Sequence, residues 1–220
     1  MILPAFRPID WVLAVATVAS LAVLGWALFH ARLPGNDLGY QPAQPIAFSH
    51  RVHGKELEIR CAYCHAGART SRHAGLPSGR VCMSCHQFVL ASSQAVKDEQ
   101  WQAAREERPV RRVVSEETRK LLRAQGLDDE LKADPRLRPG PVPWVRVARL
   151  PDFAFFHHGV HAKAGVDCRE CHGDVESFDR LRLVRDLTMG ACVSCHRKGV
   201  PDPAGGPALR GSTDCVACHR

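Results

Sequence analysis

The chain has 220 residues, a formal net charge of +7 and a sequence pI near 9.0, with ten cysteines, two tyrosines, 6% aromatic and 24% charged residues. So few aromatics beside so many cysteines is not the composition of a domain that fills its interior with ordinary apolar side chains. The cysteines fall in five pairs, each three residues apart and each followed at once by a histidine, which excludes a generic disulfide scaffold and weakens the nucleic-acid partner that the basic charge alone would invite.

Residues 1–10 lead into an uncharged run of 19 residues, WVLAVATVASLAVLGWALF at 11–29, close to the roughly 20 that a helix needs to cross the hydrocarbon layer. A cleaved secretory signal is the alternative, but its apolar stretch spans only about 7 to 15 residues. A retained transmembrane anchor over 11–30 is therefore expected, with Trp11 and Trp26 near the two interfaces. Flanking charge encodes orientation weakly, with Arg7 against Asp10 on one side and Arg32 on the other. Pro34, Gly35, Pro42 and Pro45 then read as an extended tether.

Residues 31–90 hold the first two motifs, Cys61-Ala-Tyr-Cys64-His65 and Cys82-Met-Ser-Cys85-His86. Residues 151–220 hold three more: Cys168-Arg-Glu-Cys171-His172, Cys192-Val-Ser-Cys195-His196 and Cys215-Val-Ala-Cys218-His219. Each is C-x-x-C-H, the attachment signature of c-type haem. On one helical turn, positions i, i+3 and i+4 share a face, so two thiols can bond the two vinyl groups while the imidazole reaches the iron. Zinc ribbons spend two C-x-x-C pairs per metal, so five pairs leave one over, and nothing in them requires a histidine after every pair. Five covalently bound haem c groups are expected, with Cys61, Cys64, Cys82, Cys85, Cys168, Cys171, Cys192, Cys195, Cys215 and Cys218 as attachment points. His65, His86, His172, His196 and His219 are the expected proximal iron ligands. Such haems are attached beyond the cytoplasmic membrane, so the haem-bearing part is expected on the periplasmic side and residues 1–10 in the cytoplasm.

An iron that carries electrons needs a second axial ligand, and seven histidines remain: His30, His50, His53, His73, His157, His158 and His161. Four form a repeated phrase. Phe48-Ser-His50-x-x-His53 lies eleven residues before Cys61, and Phe156-His157-His158-x-x-His161 lies ten before Cys168. The repeat pairs His50 with His158 and His53 with His161, making these four the expected distal ligands. His157 stands where Ser49 stands in the first phrase and reads as a neighbour, and His30 reads as an interfacial residue. The fifth distal ligand is either His73, in a Gly-flanked loop, or Met189, in Leu-Thr-Met-Gly just before Cys192. A thioether there would raise the potential of that haem.

Between the motif-bearing segments, residues 91–150 carry 23 charged residues in 60 and read as a charged insert or linker. Within it, Ser115-Glu116-Glu117 marks a helix start and Gly126 its stop, enclosing 118–125. That helix is expected to be mostly solvated or to lie on a partner. No strand pattern is convincing. The expected fold is mainly α and coil: one transmembrane helix plus a haem-packed multihaem cytochrome c domain with little regular secondary structure.

From His50 to His219 there is one motif for every 34 residues, and a body of about 190 residues has a radius of gyration of only about 16 Å. Five macrocycles held so closely form a path for electrons. Their propionates also recast the charge: about ten carboxylates turn +7 into about −3 with ferrous iron and about +2 with ferric.

The ordered set of elements resembles the pentahaem cytochrome subunit of bacterial alternative complex III, a quinol-oxidising respiratory complex. The matching residues are the N-terminal span, QPIAFSHRVH, CAYCH and CMSCH separated by HAGLPS, PVPWVRVARLPDFAFFHHGVH and LTMGACVSCHR. The region near 115–140 departs from it in length. The resemblance implies an electron-transfer subunit with no substrate of its own. It also implies partners: an iron–sulfur subunit upstream, multispan quinol-binding subunits in the membrane, and a monohaem cytochrome c or terminal oxidase downstream. Two other readings remain: a stand-alone quinol dehydrogenase anchor, and a multihaem reductase subunit, which would need an open iron position and often a C-x-x-C-K motif that this chain lacks.

Overall fold

A computed structural model describes residues 7–30, 37–202 and 204–219. Helix α1, Pro8–His30, spans 23 residues with a mean hydropathy of 2.3 over its best window and no buried residue. At 1.5 Å per residue it is about 34 Å long, enough to cross a bilayer core of about 30 Å. Of the expected tether, Pro34 and Gly35 lie outside the described residues, as does Arg32. The chain resumes at Asp37 along the 180–183 segment, where Gly39 N–H donates to the Leu183 carbonyl at 2.7 Å and Leu183 N–H to that of Tyr40 at 3.1 Å. Gln44 and Val145 exchange two hydrogen bonds of 2.9 Å each, tying this strap to the end of the insert.

Every cysteine pair lies on or caps a short helix, with His65 and His219 just beyond the ends of theirs. In chain order the helices are α2 (Cys61–Cys64), α3 (Gly79–His86), α7 (Arg169–His172, with Cys168 as its cap), α8 (Met189–Lys198) and α9 (Cys215–Cys218). Between them stand α4 (Ser93–Arg105), α5 (Glu116–Ala124) and α6 (His158–Lys163). The first histidine phrase forms a wide π-type turn at Arg51–Glu56, and 3-10 turns follow the first and third motifs at Ala66–Arg69 and Val175–Ser177. Among the described residues, pairing between extended segments is confined to three isolated bridges, Leu127–Ala133, Ala154–His219 and Val200–Leu209. The mainly helical architecture with much coil is the one the sequence led us to expect.

The side-chain core is small. Among the described residues the buried apolar side chains are Leu90, Ala103, Leu121, Leu122, Val147 and Leu183, and four of these six, Ala103, Leu121, Leu122 and Val147, lie within residues 91–150. The charged insert therefore contains most of the conventional core, and α5 is not the mostly solvated helix expected: it buries Thr118, Leu121 and Leu122. Ser115 caps it as expected, its hydroxyl accepting from Thr118 N–H at 3.2 Å. Glu117 accepts from Ala47 N–H at 2.6 Å, just ahead of the first histidine phrase. On the other side α5 lies against α3, where a Cβ at Gly79 would collide with the Gln125 side chain. Helix α4, capped by Ser92, is an element the charge pattern did not disclose.

Candidate haem-binding site

The two histidine phrases have the same three-dimensional form. Phe48 lies edge-on to His50 at 4.9 Å and stacks on His53 at 4.3 Å, and Phe156 does the same to His158 at 4.8 Å and His161 at 4.4 Å. The second histidine of each phrase donates from Nδ1 to the carbonyl four residues back, His53 to Ser49 at 2.9 Å and His161 to His157 at 3.0 Å. Ser49 Oγ accepts from Val52 N–H at 3.2 Å, and His157 Nδ1 accepts from Val160 N–H at 3.4 Å. His157 is thus a helix cap in the place of a serine. The phenylalanines, which sequence reasoning left without a role, stand two residues ahead of His50 and His158 and hold the rings of both histidines in each phrase.

Three of the four phrase histidines face the imidazole of a C-x-x-C-H motif. His53 and His86 have ring centres 6.2 Å apart, His158 and His172 are 6.4 Å apart with planes 5° from parallel, and His161 and His196 are 6.0 Å apart. An imidazole nitrogen lies about 2 Å from the metal it binds and about 1 Å from its own ring centre, so two imidazoles on opposite sides of one metal have centres about 6 Å apart. The observed separations fit that arrangement. His50 and His65 line one cavity of about 70 Å³ with Cys61, Cys64, Phe48 and Glu176, and the buried His50 Nδ1 has no hydrogen-bond partner.

Contacts with backbone carbonyls fix the tautomers. A carbonyl can only accept, so each Nδ1 that meets one must carry the proton, which leaves Nε2 with its lone pair for iron. That holds for His65 on Gly75 (2.7 Å), His86 on Val89 (2.8 Å), His196 on Ser212 (2.6 Å) and His158 on Arg72 (2.9 Å), besides His53 and His161. Gly211 is required beside His196, because a Cβ there would collide with the ring.

None of the ten cysteines forms a disulfide, so all ten are left for attachment of a macrocycle. Among the described residues, no three His, Cys, Asp or Glu side chains converge on a common metal position. Paired imidazoles with cysteines alongside would suit a macrocycle that supplies its own four equatorial nitrogens. His219 stands apart: the ring against it is Phe153, at 5.7 Å. Neither candidate for its partner is drawn to it by a ring contact; His73 is exposed in its loop and Met189 is 68% exposed at the start of α8.

Comparison with known proteins agrees with this chemistry. The family model "Cytochrome c7 and related cytochrome c" matches residues 154–220, the stretch with the second histidine phrase and the last three motifs. A menaquinone reductase multiheme cytochrome c subunit from Nitratidesulfovibrio vulgaris (strain Hildenborough) is 26% identical over 222 residues, covering 90% of this chain and 84% of that protein. The chain has a cytochrome c7-like multihaem domain, and covalently bound haem c is the cofactor that its motifs and this match imply.

Proposed function

We propose that this chain is a membrane-anchored pentahaem cytochrome c, the electron-transfer subunit of a quinone-linked respiratory complex of the alternative complex III type. The observation that carries the reading is the set of facing imidazole pairs at 6.0 to 6.4 Å, which would leave no coordination position open for a substrate on an iron held between them. Haem held between two imidazoles supplies one-electron transfer. The chain's own residues attach the macrocycles through the ten cysteines and orient the imidazoles by their Nδ1 contacts. The assigned distal ligands are His50 for the Cys61/Cys64 haem, His53 for Cys82/Cys85, His158 for Cys168/Cys171 and His161 for Cys192/Cys195. His73 or Met189 completes the Cys215/Cys218 haem.

Helix α1 anchors the chain, with the haem-bearing part on the periplasmic side. Its partners are an iron–sulfur subunit, multispan quinol-binding subunits and a monohaem cytochrome c or terminal oxidase. The name of the Nitratidesulfovibrio relative favours a second reading in which electrons run towards menaquinone instead of away from quinol.

Haem quantitation and intact mass of the purified full chain test the central point, with five covalent haems expected and fewer refuting it. A carbon monoxide difference spectrum showing a reactive haem in the native chain would favour the reductase alternative. Poising the intact complex with a quinol analogue, or with reduced monohaem cytochrome c, distinguishes the two directions.

A further inference from the structure

We propose that the five haem-attachment units, each a C-x-x-C-H motif with its distal ligand, are arranged in space in the order two, one, three, four, five, so that the first unit of the chain is internal and the second is terminal. This rests on the pentahaem reading above and goes beyond it by assigning neighbours.

Units one and two are joined directly. His50 and His53 belong to one turn, and the Tyr63 hydroxyl inside the first motif is 2.9 Å from Ser84 Oγ inside the second. Unit one also meets unit three. Helix α6 packs on the 66–69 turn that follows the first motif, with His158 N–H donating to the Arg72 carbonyl at 3.2 Å and Gly159 N–H to that of Ser71 at 3.0 Å. Gly159 permits the approach, since a Cβ there would lie 3.1 Å from the Thr70 carbonyl carbon. From the other direction Val175 and Glu176, just after the third motif, wall the cavity shared by His50 and His65. Arg51 N–H donates to the Phe178 carbonyl at 3.1 Å, and Ser49 Oγ donates to Asp179 at 2.6 Å.

Units three and four are joined by α6, whose His158 and His161 face His172 and His196. Units four and five are joined through the loop before the fifth motif: Ser212 accepts from His196 Nδ1 at 2.6 Å, and Gly211 lies under the same ring. Unit five is also held to the strap ahead of α6, where Phe155 N–H donates to the Cys218 carbonyl at 2.6 Å.

An experimental density map of the haem-loaded full chain in detergent, with the irons located, tests the order. The Cys61/Cys64 iron is expected to have the Cys82/Cys85 and Cys168/Cys171 irons as its two nearest neighbours. A Cys82/Cys85 iron lying between units one and three, or nearest to units three to five, overturns the proposal. Five macrocycles in another order would refute the order and leave the pentahaem reading standing, whereas fewer than five would refute that reading itself.

Paramagnetic resonance of two variants gives an independent count of neighbours. His50→Met and His53→Met each raise one haem's potential, so that haem alone can be poised ferrous and diamagnetic. Two other ferric signals should lose their magnetic broadening in His50→Met and only one in His53→Met; equal counts, or the reverse, refute the order.

Discussion

Leu122→Ala tests whether the charged insert is a structural support. Leu122 is the largest fully buried side chain among the described residues, at 0% exposure. It lies on α5, which is capped by Ser115, holds Ala47 through Glu117 and lies against the second motif helix, α3. Truncating a fully buried leucine costs about 2 to 5 kcal/mol, the lost transfer free energy plus the cavity left behind. A value of about 3 kcal/mol lowers the melting temperature of a body of this size by about 6 to 12 °C, at about 2 to 4 °C per kcal/mol. The assay is thermal unfolding followed by far-ultraviolet circular dichroism and by the haem Soret band, with Leu76→Ala, 67% exposed, as control. The Soret band should shift at the lowered temperature in Leu122→Ala and stay near the native midpoint in the control. A fall below about 2 °C, or one equal in both variants, refutes the buttress.

Acid should weaken the same insert. Glu99 is held down from 4.5 to about 2, first by its hydrogen bonds from Arg108 and next by Arg111 N–H. A carboxylate with a depressed folded pKa stabilises above its unfolded value, and that contribution is lost as pH falls from 4.5 towards about 2. Glu99→Gln should therefore flatten the dependence of melting temperature on pH in that window; an unchanged slope refutes the pairing. Ser115→Ala should cost about 1 kcal/mol through loss of the α5 cap, read as a lower midpoint in denaturant. Gly211→Ala should displace the His196 ring and shift one wave of the haem redox titration, whereas Gly140→Ala, with open space around it, should shift none.

The two halves of the haem-bearing part repeat one device. A phenylalanine, a cap and two histidines three residues apart recur at 48–53 and 156–161 with ring distances that agree within 0.1 Å. Each phrase stands against the histidines of two successive motifs, His65 and His86 for the first and His172 and His196 for the second.

Local spacing encoded the motifs, the repeated phrases, the apolar helix and the cap of α5, because each is a relation between residues within a few positions of one another. The positions of the ten cysteines and ten of the histidines needed no fold to be recognised as candidates. Which imidazole faces which was decided by contacts between segments far apart in the chain, such as Arg72 with His158 and Ser212 with His196. The burial of α5 was equally illegible, since its two leucines and one threonine are few beside the surrounding charges. Neither local spacing nor a ring contact selects His73 or Met189 as a partner for His219. Neighbour relations among the units follow from the packing of α6 on the 66–69 turn, a long-range arrangement that no short sequence pattern records.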